Sequence, residues 1–331
     1  MRSTHLIGLS SLLAVSIACA DKKEPPPAET TKVSAILDLG PNETRMPVDG
    51  GEIWYKVTGT GAATPVILLH GGPGFSSYYL KPLEELGDDR KVVRYDQLGG
   101  GKSSGLTDTT KMNIAHFVAE LDSLREHLGY DKVHIVGHSW GTILGLEYYR
   151  AHPQHVASLT LASAALDIPQ WERHALELLK TLPDSMQRAV KTREREKKFE
   201  APDYQAALGA FYEKYVWLRP VKADLDSTMQ QMNAAIYNYM QGPSEFTITG
   251  TLKKYDATPF LKSVKVPTLF TVGEVDEADP VTIRKHAAMV PDAKITVIPG
   301  AAHMTTWDNP KAMVAAVRDH LRSADSTAAK P

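Results

Sequence analysis

The chain has 331 residues, of which 43% are hydrophobic, so it is long enough to bury a full-sized core in one large domain or two small ones. Its 37 basic and 39 acidic residues give a net charge of −2. That balance does not favour nucleic-acid binding, which requires a clustered basic surface. The 12 histidines and the single cysteine show no spacing typical of a metal site, and no cofactor is expected. Nothing in the sequence specifies an oligomeric state.

The N-terminus has the pattern of an export signal. Arg2 and His5 precede an apolar run at residues 6–17, which is too short to span a bilayer as a helix. Two processing patterns overlap at its end. Ala18-Cys19-Ala20 fits cleavage after Ala20, which would give a soluble secreted protein. Residues 16–19 resemble a bacterial lipobox, in which Cys19 would carry lipid.

Cys19 is the only cysteine, and its position favours lipidation as the explanation for it. Residues 21–32 contain Pro25-Pro26-Pro27 and have the composition of a tether. We therefore predict a signal peptide over residues 1–20 and a tether over residues 21–32. The protein is expected to be exported to the periplasm or cell surface, with membrane contact only through a lipid on Cys19. Soluble secretion is the alternative.

After the tether, strand and helix patterns alternate, as is typical of an α/β sheet. A helix is predicted over Asn113–Leu128, because its apolar residues recur every three or four positions, and a last helix over Lys311–Leu321. The predicted strands are Ile53–Val57, Val66–Leu69, Val92–Tyr95, Val133–Val136, Leu159–Ala162, Thr268–Val272 and Ile295–Ile298.

The pattern changes over residues 168–242. This segment is helix-like, is rich in aromatic residues and lies between two predicted core strands. Such an insertion is interpreted as a helical cap, whose aromatic side chains pack its own small core except for a few that face a cleft. The α/β core would then comprise residues 33–167 and 243–323.

The segment Gly137-His138-Ser139-Trp140-Gly141 follows a predicted strand and precedes a helical stretch that starts at Thr142. This is the context that the G-x-S-x-G nucleophile elbow requires. Glycines on both sides allow a sharp turn that exposes the Ser139 hydroxyl at a helix N-terminus. We predict Ser139 as the nucleophile of a serine hydrolase with the α/β-hydrolase fold.

The loop His70-Gly71-Gly72-Pro73-Gly74 directly follows the strand Val66–Leu69. Its glycines allow backbone N–H groups to approach a developing negative charge, which is the task of an oxyanion hole. The predicted donors are the N–H groups of Gly72 and Trp140. The alternative is a plain Gly/Pro turn.

In this fold an acid and a histidine follow the nucleophile in chain order. Asp276 comes just after the strand Thr268–Val272, and His303 just after Ile295–Ile298, so both emerge at the sheet edge that carries Ser139. His303 would act as the general base and Asp276 would fix its tautomer. The competing residues are Asp279 and Glu274 for the acid, and His286 for the base. Asp279 has the position of a helix-start residue, and His286 lies within the helical pattern Thr282–Met289.

Four segments together resemble the proline iminopeptidase (prolyl aminopeptidase) family. They are His70–Gly74, Asp96-Gln97-Leu98-Gly99, Gly137–Gly141 and Met240-Gln241-Gly242-Pro243-Ser244-Glu245-Phe246. The similarity extends from about Gly51 to Leu321. It implies a mostly parallel eight-stranded sheet with a helical cap. The export signal is a departure from the cytosolic members of that family.

The resemblance also implies that Glu245 and Glu277 bind the free α-amino group of the substrate. An α-ammonium is mostly charged at neutral pH, and two adjacent carboxylates favour a cation between them. The alternative is that both are solvated loop acids. The expected function is removal of an N-terminal residue, proline being one candidate, from short peptides or aminoacyl compounds. An esterase, lactonase or amidase with the same triad is the alternative, and a non-catalytic binding lipoprotein is disfavoured because every catalytic position is filled.

Overall fold

The computed structural model describes residues 39–220 and 223–328. The predicted signal peptide, the tether and Cys19 lie outside the described residues. Within the described part, one sheet is flanked by helices on both faces. Its strands are β1 (Glu43–Val48), β2 (Gly51–Thr58), β3 (Ala63–Leu69), β4 (Arg90–Asp96), β5 (Val133–His138), β6 (Val156–Ala162), β7 (Thr268–Gly273) and β8 (Lys294–Ile298).

The helices of the described part alternate with the strands before and after a long helical insertion. Short 3₁₀ helices occupy Tyr78–Asp88, Thr109–Lys111, Pro153–His155 and Thr251–Lys254. The α-helices are α1 (Ile114–His127), α2 (Trp140–Ala151), α3 (Ile168–Leu179), α4 (Asp184–Glu196), α5 (Pro202–Tyr215), α6 (Ala223–Gln230), α7 (Ala234–Met240), α8 (Thr258–Leu261), α9 (Pro280–Met289), α10 (Thr305–Asp308) and α11 (Pro310–Ala328).

The strand order in the sheet is β1-β2-β4-β3-β5-β6-β7-β8. The pairs β1/β2 and β2/β4 are antiparallel, and the remaining pairs are parallel. The eight-stranded, mostly parallel sheet expected from the sequence is therefore confirmed. Because β3 and β5 to β8 run in one direction, the loops that follow them meet at one edge of the sheet. In such sheets that edge is where ligands bind.

Strand β1 is the one strand that the sequence pattern missed. Its sequence, ETRMPV, contains charged residues and Pro47, which cannot donate a ladder hydrogen bond. Proline is tolerated on an edge strand, and β1 is the edge of this sheet. The strand therefore forms because its partner β2 supplies an antiparallel template, not because its own sequence has a clear strand pattern.

Both faces of the central strands are buried. In β3, Ile67 and Leu69 belong to one core cluster while Val66 and Leu68 belong to the other. All four are fully buried, as is typical of parallel strands with helices on both faces. This explains why the run Val66–Leu69 is continuously apolar and does not alternate.

Helices α3 to α7 lie between β6 and β7 in the chain, within the segment predicted as a cap. In the described part of residues 168–242 no strand is present. The end of α5 is joined to the core, because the N–H groups of His303 and Met304 donate to the carbonyls of Tyr215 and Val216 at 3.1 and 2.7 Å. Across residues 39–220 and 223–328, we find no helix that is both apolar and long enough to cross a membrane.

Candidate active site

Ser139 lies between β5 and α2 with backbone angles of φ 55° and ψ −123°, a conformation that is strained for a residue with a side chain. The turn requires glycine two residues before and two residues after Ser139. A Cβ on Gly137 would lie 2.2 Å from the carbonyl oxygen of Gly141, and one on Gly141 would lie 2.3 Å from that of Leu69. Helix α2 begins at Trp140, two residues earlier than predicted, so Ser139 lies directly at its N-terminus.

The structure brings His303 and Asp276 together at the edge of the sheet that carries Ser139. His303 Nδ1 lies 2.9 Å from Asp276 Oδ1. Since a carboxylate can only accept, Nδ1 carries the proton and Nε2 presents its lone pair. This is the tautomer that a general base requires.

Asp276 is held by more than the histidine. Its carboxylate also accepts hydrogen bonds from Ser163 Oγ at 2.6 Å, from Gly273 N–H at 3.1 Å and from Ala278 N–H at 2.9 Å. Burial alone would raise the pKa of Asp276, but the charge of His303 and these hydrogen bonds outweigh it and lower the pKa. The buried acid is therefore ionised, as an orienting partner must be.

Ser139 and His303 line one cavity of about 30 Å³. The hydrogen bonds among the described residues include none between Ser139 Oγ and His303 Nε2. Such bonds are commonly long in hydrolases without substrate and shorten in the complex. The same cavity is lined by Gly72, Glu245 and Glu277.

Gly72 and Trp140, the predicted oxyanion donors, flank Ser139. Trp140 is the first residue of α2, so its N–H has no acceptor within the helix. In the neighbouring loop, the Gly71 N–H donates to Tyr79 Oη at 2.7 Å, while no backbone acceptor among the described residues pairs with the Gly72 N–H. Gly72 has a φ of 112°, which a residue with a side chain rarely adopts. The arrangement leaves these two donors beside the serine.

A chain of buried hydrogen bonds that sequence reasoning missed connects this loop to His303. His138 Nε2 lies 2.9 Å from the carbonyl oxygen of His303, and its Nδ1 lies 2.9 Å from Tyr79 Oη. Burial and the nearby charge of His303 lower the pKa of His138 to about 3, so its ring is neutral. Nε2–H therefore donates to the carbonyl, Nδ1 accepts from Tyr79, and Tyr79 accepts from Gly71. His138 was visible as the variable position of the elbow, but Tyr79 carried no motif.

Gln97, from the Asp-Gln-Leu-Gly segment, joins the two sides of the predicted oxyanion hole. Its side-chain oxygen accepts from Trp140 Nε1 at 2.8 Å, and its side-chain nitrogen donates to the carbonyl of His70 at 3.1 Å. Its backbone N–H donates to His70 Nε2 at 3.0 Å. The motif that supported the family resemblance thus fixes the elbow relative to the glycine loop.

Glu245 and Glu277 both line the cavity that contains Ser139 and His303. Glu277 is 1% exposed, and neither of its carboxylate oxygens has a hydrogen-bond partner among the described residues. Its Oε1 lies 3.9 Å from His303 Nε2. Glu245 is half-buried and accepts a hydrogen bond of 2.6 Å from Tyr237 Oη, one of the aromatic residues of the predicted cap.

The pKa values of both glutamates are shifted upward. Burial and the neighbouring carboxylates of Glu245 and Asp276 raise the pKa of Glu277 well above its usual value. Burial also raises the pKa of Glu245, against the hydrogen bond from Tyr237 and the charge of His303. The pKa values of the adjacent residues Asp276 and Glu277 are therefore shifted in opposite directions. The Asp276 carboxylate accepts several hydrogen bonds, whereas the Glu277 carboxylate accepts none from the described residues.

The competing residues lie elsewhere. Asp279 caps helix α9 by accepting from the N–H groups of Val281 and Thr282, and His286 lies within α9. Glu274 accepts from the Gly300 N–H at 2.7 Å. None of these three lines the cavity that contains Ser139. In residues 39–220 and 223–328, no group of three or more potential ligands from His, Cys, Asp and Glu could hold a metal ion.

The fold and this site define a serine hydrolase of the α/β-hydrolase class. The model of the alpha/beta hydrolase fold family matches residues 64–310. Proline iminopeptidase from Heyndrickxia coagulans is 39% identical over 285 residues, which cover 83% of this chain and 97% of that protein. The enzyme of the same name from Saccharolobus solfataricus is 31% identical over 277 residues, covering 82% and 89% of the two chains.

Two solved structures at similar identity have the same architecture. The crystal structure of proline iminopeptidase from Mycobacterium smegmatis superposes with a TM-score of 0.79 at 32% identity, covering 86% of this chain and 99% of that one. The crystal structure of VinJ gives a TM-score of 0.82 at 30% identity, covering 85% and 98%. The chain belongs to the proline iminopeptidase family. It is an enzyme, a serine hydrolase of the aminopeptidase type.

Proposed function

We propose that the protein removes one N-terminal residue, such as proline, from short peptides through an acyl-enzyme on Ser139. The observation that carries this proposal is the Glu245/Glu277 pair beside Ser139 and His303 in one cavity. An esterase needs no pair of acids at this position. An aminopeptidase needs an anionic group to bind the substrate α-ammonium at a fixed distance from the nucleophile.

In the proposed acyl transfer, His303 Nε2 takes the proton of Ser139 as Oγ attacks the scissile carbonyl, and then donates it to the leaving amine. Asp276 holds the imidazole in the required tautomer and stabilises the imidazolium. The N–H groups of Gly72 and Trp140 donate to the oxyanion, and each such donor is worth about 3 kcal/mol in the transition state. Water then releases the N-terminal residue by the same route.

The proposed amino-group site depends on the charges of Glu245, Glu277 and the substrate ammonium. In the free enzyme, burial raises the pKa of both glutamates, and the nearby carboxylates of Glu245 and Asp276 raise the pKa of Glu277 further. A substrate ammonium between them supplies the missing positive charge and donors for the unpartnered oxygens of Glu277. A blocked N-terminus offers no such charge and leaves the pair unsatisfied. Binding by this site would thus select a free N-terminus and cleavage after one residue.

The cap supports a preference for short substrates. Tyr212, Val216 and Trp217 from the insertion line the cavity together with Ser139 and His303, so cap side chains restrict the space beside the nucleophile. The backbone hydrogen bonds from the His303 loop to Tyr215 and Val216 hold this wall against the core. A folded polypeptide would collide with the cap before reaching Ser139.

The test is Glu245→Gln, measured on an aminoacyl anilide with a free amine and on a small activated ester without one. A charged hydrogen bond contributes about 1.5–3 kcal/mol, so kcat/KM for the anilide should fall about ten- to hundredfold. The ester should change less than threefold, because Glu245 takes no part in acyl transfer. Raising the pH above the pKa of the substrate amine should lower the wild-type anilide rate in the same way, since the neutral amine loses its attraction to the pair.

Glu194→Gln is the matched control, since Glu194 is also a cap glutamate with a pKa raised by burial but does not line the cavity. It should leave both rates near wild type. Equal losses on anilide and ester in Glu245→Gln would reject the amino-group site. The esterase, lactonase or amidase alternative would then become the leading function.

We further propose that the protein is exported and anchored to a membrane by a lipid on Cys19, with residues 21–32 as the tether. The supporting observation is the sequence alone, namely the apolar run followed by the chain's single cysteine. Cys19→Ala should release the protein from the membrane fraction, and wild-type protein should carry an acyl mass increment at its N-terminus. Recovery of soluble wild-type protein that starts at Asp21 would support the soluble secreted alternative instead.

A further inference from the structure

Ser163 lies directly after strand β6, between the strands that precede the proposed nucleophile and the proposed triad acid. The order β5-β6-β7 in the sheet places the end of β6 between Ser139 and Asp276. Ser163 is fully buried, and its backbone N–H donates to the carbonyl of Thr271 on β7 at 2.8 Å. It belongs to none of the sequence motifs, so only the folded structure brings it to the catalytic site.

The dipeptide Ala162-Ser163 contacts all three residues of the proposed triad. The Ser139 N–H donates to the carbonyl of Ala162 at 3.0 Å. Ser163 Oγ lies 2.6 Å from Asp276 Oδ2 and 3.2 Å from the carbonyl oxygen of His303. This short segment therefore fixes the backbone of the nucleophile, the side chain of the acid and the backbone of the base relative to one another.

The Ser163 hydroxyl has one proton, and its two possible acceptors are not equivalent. The carbonyl of His303 already accepts from the Thr305 N–H at 2.8 Å and from His138 Nε2 at 2.9 Å. These two donors occupy both lone pairs of that oxygen. The proton is therefore donated to Asp276, and the distance of 2.6 Å is typical of a hydroxyl bonded to a carboxylate.

Ser163 completes the hydrogen bonding of the triad acid. Asp276 Oδ1 accepts from His303 Nδ1 and from the Ala278 N–H, and Oδ2 accepts from Ser163 Oγ and the Gly273 N–H. In the described part of the chain, Ser163 and His303 are the side chains that donate to this carboxylate. Hydrogen bonds to the charged form favour it, so a buried carboxylate with four donors stays ionised. Without the hydroxyl, Oδ2 would keep one backbone donor.

The backbone of Ser163 is strained. Its φ of 49° lies in the left-handed region, which a residue with a side chain seldom adopts. Such a conformation persists where the surrounding structure fixes it, commonly at active sites. Glycine would adopt the same turn without a steric cost. The presence of serine is therefore explained by its hydroxyl and not by the turn.

We propose that Ser163 is a positioning residue of the catalytic reaction, which keeps Asp276 ionised and oriented toward His303. The negative charge of Asp276 stabilises the imidazolium of His303 during acyl transfer. The hydrogen bond from Ser163 disperses part of that charge, so the imidazole does not become protonated too readily in the free enzyme. This inference rests on the proposed role of His303 as the general base, but not on the identity of the substrate.

Other titratable groups also face His303, and they come from different elements. Beside the triad acid, they are His138 at the end of β5, Glu277 after β7 and Glu245 after the cap. The His138 ring lies with its centroid 4.7 Å from that of His303, and Glu277 Oε1 lies 3.9 Å from His303 Nε2. Substitution of Ser163 leaves these groups in place. A change in the pH profile therefore reports the lost hydroxyl.

The test is the pH dependence of kcat/KM in Ser163→Ala and Ser163→Gly, measured with p-nitrophenyl acetate and with alanyl p-nitroanilide. His303 must be unprotonated to act as the base, so kcat/KM falls at acidic pH. Without the hydroxyl, Asp276 presents more negative charge and favours the protonated imidazole. The acidic limb should move to higher pH by about 0.5 pH unit or more in both variants. The rate on the plateau should fall about three- to tenfold, because the imidazole is held less firmly.

The two variants distinguish a positioning role from a structural one. Ser163→Ala keeps a Cβ in the strained conformation, whereas Ser163→Gly relieves the strain, so the glycine variant should resist denaturant at least as well as the alanine variant. Both lack the hydroxyl, and both should show the same displaced acidic limb. A wild-type limb in either folded variant would overturn the proposal, because the hydroxyl would then have no influence on His303.

Thr271→Val is the matched control. Its hydroxyl is also buried and lies on the neighbouring strand β7, but it has no hydrogen-bond partner among the described residues. The acidic limb of this variant should coincide with that of wild type. An equal displacement in Thr271→Val would overturn the assignment of the effect to the bond between Ser163 and Asp276.

The ester separates this inference from the proposed function, because p-nitrophenyl acetate carries no amine and needs only the triad. If the enzyme were not an aminopeptidase, turnover of the anilide would fail, but the ester would still show the displaced limb in both Ser163 variants. His303→Ala tests the premise that both share. Ester turnover that survives in His303→Ala with an unchanged acidic limb would overturn the role of the base and, with it, that of Ser163.

Discussion

Two Ser–His–Asp clusters lie in the described part of the chain, one toward each end of the parallel strands. At the carboxyl edge lie Ser139, His303 and Asp276. Toward the opposite end, Ser158 Oγ lies 2.7 Å from His134 Nδ1, and His134 Nε2 lies 3.1 Å from Asp325 Oδ1. By hydrogen bonding alone the second cluster is the more complete, since no bond joins Ser139 to His303 in this structure.

The two clusters contain the same residue types but differ in burial, in backbone conformation and in access to a cavity. Ser158 and His134 are wholly buried on neighbouring strands, and Arg90 binds Asp325 at 3.0 Å, so the cluster joins helix α11 to the sheet. Ser139 has a strained backbone, lines a cavity and lies beside two N–H donors. A serine near a histidine becomes a nucleophile only with access and with donors for the oxyanion.

The largest difference between the clusters is expected when each serine hydroxyl is removed in turn. Ser139→Ala should lower kcat by about 10⁴- to 10⁶-fold and leave the fold intact. His303→Ala should cost a similar amount, and the double variant should lose little more, because the triad acts as a unit. Steady-state and burst kinetics on an aminoacyl anilide measure both effects.

Ser158→Ala is the matched variant in the other cluster. It should change kcat less than about threefold but lower the free energy of unfolding by about 1–3 kcal/mol, since His134 Nδ1 loses its buried donor. A folded Ser139→Ala protein with near wild-type turnover on every substrate would show that the nucleophile has been misassigned.

Tyr79→Phe tests the glycine loop His70–Gly74, which lies beside Ser139 and has no counterpart beside Ser158. The hydroxyl accepts from the Gly71 N–H and donates to His138, so its loss should let the Gly72 N–H drift from the oxyanion position. We expect kcat to fall about tenfold with KM little changed, because only the transition state carries the oxyanion. Tyr95→Phe is the control, since the buried Tyr95 hydroxyl has no partner among the described residues; a matching loss of kcat there would contradict the positioning role of Tyr79.

The smallest effect is expected at Asp325. Burial raises its pKa, but the hydrogen bond from His134 and the charges of His134 and Arg90 prevail and hold the pKa at about 2. A lowered carboxyl pKa stabilises the fold above the unfolded pKa, near 4, and this contribution disappears as the pH falls through about 2. Asp325→Asn should therefore lower the free energy of unfolding at pH 7 by about 1–2 kcal/mol, allowing for partial exposure.

Denaturant unfolding of wild type and Asp325→Asn at several pH values checks this prediction. The difference between the two proteins should shrink toward acidic pH. A difference that is independent of pH between 7 and 3 would mean that the carboxylate charge contributes nothing. Turnover should be unaffected at pH 7, because Asp325 lies far along the sheet from the catalytic cavity.

Most of the sheet was predictable because its strands carry strong local patterns. The predicted strands lie within β2 to β8, and the predicted helix Asn113–Leu128 matches α1 with Asn113 as its cap. Helix α11 is longer than predicted, reaching Ala328 in place of Leu321. Its last turns are polar, and they are held against the sheet by the contacts of Asp325 with His134 and Arg90. Helix ends and edge strands depend on such partners, which a linear pattern does not contain.

The sequence by itself determined which chemistry is available. The elbow glycines, the glycine loop and the order of serine, aspartate and histidine are local requirements of chain geometry, so they appear as motifs. Tertiary structure alone decided the rest. Ser158, His134 and Asp325 have the same side chains as the proposed triad, yet the burial of Ser158 and His134 on the sheet makes that cluster structural. Likewise Tyr79 and Tyr237 carry no motif, because their hydrogen bonds depend on which surfaces meet when the chain folds.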